Sequence, residues 1–153
     1  MKNFPSSENS PNKKYSGPLA PPYVEIEQRV RYSETDRMGL AHNKNYFEWF
    51  EIGRTEYCRR QGIAYKDIEE GGRCLVVVES FCRYKKPLRY DDRFLIRTAV
   101  RDATPKKAVF VYEVRTLDGR ILIAEGYTVH ISVDENGRVS PLPEDIVARI
   151  KSP

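Results

Sequence analysis

A chain of 153 residues fits one domain with a core of its own and leaves no room for a second catalytic domain. Its 26 Lys plus Arg against 22 Asp plus Glu give a net charge of +4, spread along the sequence, which suits a phosphorylated small ligand as well as nucleic acid and excludes neither. With no apolar run near the roughly 18 residues that cross a bilayer, no apolar signal stretch, and no C-x-x-C spacing among Cys58, Cys74 and Cys82, the sequence reads as a cytoplasmic protein with reduced thiols, no membrane partner and no metal site.

Residues 1–22 are dense in Pro, Ser, Asn and Lys and bury too little apolar surface to offset ordering, so they are expected to form a flexible tail. The alternative is an arm that docks on a neighbouring subunit through Phe4 or Tyr15. The domain then covers 23–153. Alternation of Val24, Ile26, Val30 and Tyr32 with charged residues predicts a first strand over 23–32. The irregular segment SETDRMGLAHN follows, and the side chain of Asn43 is expected to cap a helix running to about residue 60.

In that helix Tyr46, Phe50, Gly53 and Tyr57 recur at steps of four, three and four, and Phe47, Trp49 and Ile52 widen the apolar face, so the helix should be enclosed. Gly53 costs about 1 kcal/mol relative to Ala in mid-helix, which close approach to a neighbour would offset. A helical turn over 65–69 ends at Gly71-Gly72. Strands over 73–86, 92–103, 107–116 and 120–133 are separated by turn signals, with a hairpin expected at Thr104-Pro105-Lys106 and a two-residue type I′ hairpin at Asp118-Gly119. Glu135-Asn136-Gly137 ends the last strand, and Pro143 and Glu144 suit the first turn of a C-terminal helix to about residue 150. The sum is an α+β layer arrangement, a five-stranded antiparallel sheet curled around one long central helix.

The informative stretch is RVRYSETDRMGLAHNKNYFEWFEIGR, where two carboxylates and a histidine precede a helix start. An Asp in such a loop is ordinarily a cap or loop acceptor. Here Tyr32, Glu34, Thr35, Asp36, Gly39 and Tyr46 together resemble the signature of the hot-dog thioesterases related to 4-hydroxybenzoyl-CoA thioesterase and the Tol-Pal-associated acyl-CoA thioesterases. Tyr90-Asp91-Asp92 matches that family's entry to the third strand, and the resemblance spans 23–133.

The resemblance implies a hot-dog fold, hydrolysis of acyl-CoA to free acid and coenzyme A, and Asp36 as the catalytic carboxylate, acting as nucleophile or as general base on water. Backbone N–H groups of Asn43 and Lys44 at the helix N-terminus would polarise the thioester carbonyl, and Gly39 would let the loop turn tightly. His42 is either a general acid or a loop-positioning residue, because the family's supporting histidine falls on the place that Asn43 fills. Glu34 reads as a strand-end charge or a partner for a local Arg.

Tyr32, Tyr46, Trp49 and Phe50 read as acyl-pocket lining or core. By position Lys106 and Lys107 match the family's basic hairpin toward the nucleotide, although two lysines beside Pro105 also suit a solvated turn. Arg83, Lys85, Lys86 and Arg89 form a second basic cluster, which strand alternation would divide between two faces. No metal or redox cofactor is expected, and a homodimer or homotetramer with active sites at the shared interface is. The rival readings are a non-catalytic acyl-CoA sensor and a hot-dog dehydratase or hydratase; nothing resembles a nucleic-acid recognition element.

Overall fold

The computed structural model describes residues 15–151. β1 (Val24–Arg29) and a 3-10 turn (Tyr32–Glu34) lead into α1 (Lys44–Arg60) and α2 (Tyr65–Glu70). β2 (Cys74–Tyr84), β3 (Arg93–Ala103), β4 (Lys107–Thr116), β5 (Leu122–Val133) and α3 (Glu144–Lys151) complete the chain. All strand pairs are antiparallel, in the order β1-β3-β4-β5-β2. The sheet wraps α1, which is the hot-dog arrangement.

Alternation along the central strand explains the layering. Ala108, Phe110, Tyr112 and Val114 of β4 join the core around α1, while Val109 and Val111 join an apolar cluster on the opposite, convex face. On the concave side Trp49, Phe50 and Tyr57 of α1 are almost wholly buried, each worth about 1.5–3 kcal/mol of transfer free energy. α1 closes on β3 at Gly53, where an added Cβ would overlap Thr98 Oγ1.

The convex face is covered by the segment that precedes β1. Tyr15, Leu19 and Tyr23 pack on Ala99, Val109, Val111, Tyr127 and Val129, and the Leu19 N–H donates to Glu113 Oε1 at 3.0 Å. The Tyr15 ring stands edge-on to Tyr127 at 5.1 Å. The expected flexible tail therefore lies, over residues 15–22, on the chain's own sheet. The remainder of that tail, with Phe4, lies outside the described residues.

Three local expectations need correction. β1 stops at Arg29, because the Glu34 carboxylate accepts the Arg31 N–H at 2.7 Å and curls the chain into the 3-10 turn. Asn43 has helical backbone angles and makes no side-chain cap; His42 Nδ1 instead accepts the Lys44 N–H at 3.1 Å. At Asp118-Gly119 only Gly119 has positive φ, so the turn is not type I′. The Gly119 N–H donates to Thr116 O at 2.7 Å, and Asp118 Oδ1 accepts from Thr116 Oγ1 and the Arg120 N–H. The Thr104–Lys107 hairpin forms as expected, its end residues bonded both ways.

Candidate active site

The loop before α1 is held by its own polar groups. Asp36 Oδ1 accepts the Met38 N–H at 2.8 Å and the Leu40 N–H at 3.1 Å, while the Asp36 N–H donates to Leu40 O at 2.7 Å. Gly39 sits at φ +75°, a left-handed conformation that a side chain disfavours, and closes the turn with an N–H bond to Asp36 O. The Ala41 N–H donates to Leu88 O and the His42 N–H to Glu34 O, tying both arms of the loop to their neighbours. Asp36 Oδ2 accepts no hydrogen bond among the described residues. One carboxylate oxygen thus fixes the loop while the other stays available.

Buried Asn45, in the first turn of α1, staples the loop from beneath, its Nδ2 donating to Glu34 O at 2.6 Å and His42 O at 3.1 Å. Glu34 lies under the loop as well. Burial pushes its carboxyl up, yet hydrogen bonds from the Arg31 amide, the Arg31 guanidinium and the Trp49 indole outweigh that and hold it below the ordinary carboxylate range. Its role is therefore to anchor Arg31 and Trp49.

A cavity of about 420 Å³ opens beside the loop, lined by Asp36, His42, Asn43 and Tyr46 together with Tyr84, Lys85 and Lys86. The Tyr84 hydroxyl donates to Asn43 O at 3.2 Å, and its ring stands edge-on to Tyr46 at 4.9 Å. Burial pushes the Tyr46 phenol up to about 12 and the Tyr84 phenol up as well, keeping both as neutral donors. Among the described residues the Asn43 N–H has no acceptor, and Asn43 lines the same cavity as Asp36. Because His42 Nδ1 accepts a backbone N–H, its neutral ring carries the proton on Nε2.

Not every expected residue meets there. Tyr32 is 78% exposed and packs edge-on to Tyr90, away from the cavity. Trp49 and Phe50 are core residues, the first against Phe94 at 4.4 Å and the second stacked on Tyr112 at 4.3 Å. Lys106 and Lys107 lie at the far end of the sheet. Lys107 pairs through Ile131 with the row of Val76, eight residues and so about 26 Å along β2 from Tyr84. Lys107 also pairs with Asp102 at 3.0 Å.

Lys85 and Lys86 are not split between faces. β2 ends at Tyr84, both amides donate to Ile123 O, and both residues line the cavity. Tyr-Asp-Asp at 90–92 has a structural role: Asp92 Oδ2 accepts the Arg89 N–H at 2.8 Å and Asp91 pairs with Arg29 at 2.9 Å. A larger groove of about 840 Å³, on the outer side of α1 against β1, holds none of the motif residues and is walled by Glu27, Glu48, Glu51 and Glu56. Among the described residues no group of three His, Cys, Asp or Glu could hold a metal ion, and no helix is long and apolar enough to cross a membrane.

A family model described as the thioesterase-like superfamily matches residues 30–150, which include the whole loop and cavity. The chain belongs to this superfamily. Its reaction class is thioester hydrolysis. Among solved structures, a hypothetical protein from Aquifex aeolicus is 33% identical with a TM-score of 0.78, over 84% of this chain and 99% of the other. A DHNA-CoA thioesterase from Staphylococcus aureus is 30% identical with a TM-score of 0.74, over 78% and 80%. A 1,4-dihydroxy-2-naphthoyl-CoA hydrolase of Synechococcus sp. (strain CC9605) is 28% identical over 76% of this chain and 81% of its own length.

Proposed function

We propose that this thioester hydrolase acts on acyl-coenzyme A in the Asp36 cavity. The observation that carries the reading is the division of labour at one carboxylate: Oδ1 is spent on the loop amides, and Oδ2 shares a cavity with a free N–H at a helix start. A thioester carbonyl placed between them has its oxygen toward Asn43 N–H and its carbon toward Oδ2, or toward a water that Oδ2 deprotonates. The His42 Nε2–H is a donor for the departing thiolate. Lys86, beside a Lys85 that pairs with Glu125 at 3.8 Å, gives the rim the positive charge that coenzyme A phosphates require. The chemistry needs no metal or redox cofactor.

A second protomer completes the reading. β2 is an edge strand, and its Val76, Val77 and Val78 are exposed, an arrangement that a soluble sheet leaves open only when something pairs with it. Two copies joined antiparallel through β2 about a two-fold axis bring the Lys106–Lys107 end of one protomer beside the Tyr84 end of the other. The basic hairpin, remote within one chain, then faces the cavity of its neighbour.

The test is thiol release from acetyl-, hexanoyl-, palmitoyl- and aromatic-CoA by the wild-type chain and Asp36→Asn. A loss of about a hundredfold or more with the fold intact is expected. Unchanged release in the variant would remove Asp36 from the chemistry, and stoichiometric binding without release would make the chain a sensor. A monomeric mass by light scattering would remove the shared site.

A further inference from the structure

Tyr84 is the last residue of β2 and lies across the cavity wall from the start of α1. Its hydroxyl donates to Asn43 O at 3.2 Å. That carbonyl and the Lys44 N–H are the two ends of one planar trans peptide group, so they point in opposite directions. The Lys44 N–H in turn donates to His42 Nδ1 at 3.1 Å. One rigid plane therefore stands between a phenol and an imidazole, with a hydrogen bond at each end.

The two side chains are held very differently. His42 is exposed, and among the described residues its ring is fixed by that one hydrogen bond. The Tyr84 ring stands edge-on to Tyr46 at 4.9 Å, and Tyr46, almost wholly buried, leans on the Trp49 ring at 4.7 Å. Just past Tyr84 the Lys85 and Lys86 N–H groups both donate to Ile123 O, which anchors the end of β2.

Asn43 O also accepts the Tyr46 N–H at 3.3 Å, yet helix ends fray, and the phenol holds the same oxygen from outside the helix. Hydrogen bonds in a chain polarise one another by about 10–30% each, so a donor on the carbonyl strengthens the N–H at the other end. Firm placement thus passes from Tyr84 through the peptide group to His42.

We propose that Tyr84 is a positioning residue for His42: through the 43–44 peptide group it holds the imidazole as the Nε2–H tautomer, with that donor available to the departing sulfur. When the C–S bond breaks, the sulfur leaves with the electron pair and accepts a hydrogen bond from Nε2–H. The proton stays on the ring, and Tyr84 touches no reacting atom. The inference rests on the thioester-hydrolase reading of the cavity that Asp36, His42 and Tyr84 line.

The experiment reads the imidazole directly, in Tyr84→Phe. This variant keeps the ring on Tyr46, and because Tyr84 is 44% exposed it leaves no buried polar group behind. The chain has two histidines, so a sample isotope-labelled at the histidine ring nitrogens gives two NMR patterns, and His42→Gln tells them apart. At a pH where the ring is neutral, His42 is expected to show a fixed Nε2–H tautomer in the wild type and a shift toward the mixed-tautomer average in Tyr84→Phe. For a CoA ester kcat falls by about three- to tenfold in Tyr84→Phe, the worth of one hydrogen bond. The loss is smaller for an electron-poor aryl thioester, whose thiolate spreads its own charge, and Tyr84→Phe added to His42→Gln costs nothing more.

A His42 tautomer that is the same with and without the Tyr84 hydroxyl overturns the proposal. So does an equal loss for both thioesters, or a Tyr84→Phe loss as large in the His42→Gln chain as in the wild type. A wild-type chain that releases no thiol from any ester sinks the thioester-hydrolase reading instead, and the ring-nitrogen spectrum then decides by itself whether Tyr84 sets the tautomer.

Discussion

Replacing Gly53 by Ala tests how closely α1 is held against the sheet. In an open helix the change gains about 1 kcal/mol, because Ala restricts the unfolded chain and favours helix. Here the new Cβ overlaps Thr98 Oγ1 outright and stops 3.1 Å from Ile96 Cγ2 and 3.7 Å from Thr98 Cβ. Thr98 is fully buried and β-branched, so it cannot swing aside freely. Overpacking of this kind costs about 1–3 kcal/mol, which leaves Gly53→Ala destabilised by roughly 1 kcal/mol after the helix gain. Thr98 Oγ1 has no hydrogen-bond partner, so Thr98→Ala removes an unsatisfied hydroxyl and opens the needed space. In the double variant the helix gain should reappear, giving a coupling of about 1–3 kcal/mol between the two sites. Urea unfolding followed by fluorescence of Trp49, the chain's single tryptophan, measures all four corners of the cycle. A Gly53→Ala chain as stable as the wild type, or changes that add within about 0.5 kcal/mol, would refute the close approach.

Two further outcomes follow from the buried polar groups. His130 has its pKa lowered from 6.5 to about 4 by burial and then by Arg54, so its contribution to stability is complete above pH 6.5. That contribution, roughly 3 kcal/mol, is lost as the pH falls toward 4, because only the unfolded chain takes up the proton in that window. Comparing urea midpoints at pH 7.5 and pH 4.5 for wild type and His130→Gln checks it, and an equal acid loss in both rejects it. Asn45→Ala removes both bonds to the Asp36 loop at a cost of about 1–3 kcal/mol. Faster hydrogen exchange at Met38 and Leu40 and a drop in thiol release are expected; unchanged exchange with unchanged release would mean the loop stands without it.

The order of strands and helices was legible because each element carries its own period, and the steps from Tyr46 to Tyr57 mark an enclosed helix directly. Failures came where side-chain bonds to the backbone overrode that period. Val30 and Tyr32 continue the alternation of β1, but the Glu34 carboxylate captures the Arg31 amide and turns Tyr32 outward. The helix cap was correct in kind and one residue off, since an imidazole nitrogen accepts an N–H as a carboxamide oxygen does. Trp49 and Phe50 look the same in sequence whether they line a pocket or fill a core. Lys85 and Lys86 share a side because both amides converge on Ile123 O just past the end of β2, and a carbonyl shared by two donors leaves no trace in residue spacing. Asn45 carried the faint signal of a short polar residue in the first turn of an otherwise apolar helix.

The segment on the convex face constrains how this sheet can grow. Among the described residues α1 lies across one face and residues 15–23 across the apolar cluster of the other, so stacking of sheet upon sheet would have to displace them. Among the described residues β1 and β2 are the outer strands, each with one side of its backbone outside the sheet's pairing. A second copy that pairs along such an edge extends the sheet sideways, strand to strand in its own plane. A self-complementary edge used once by each of two copies is consumed and closes the pair.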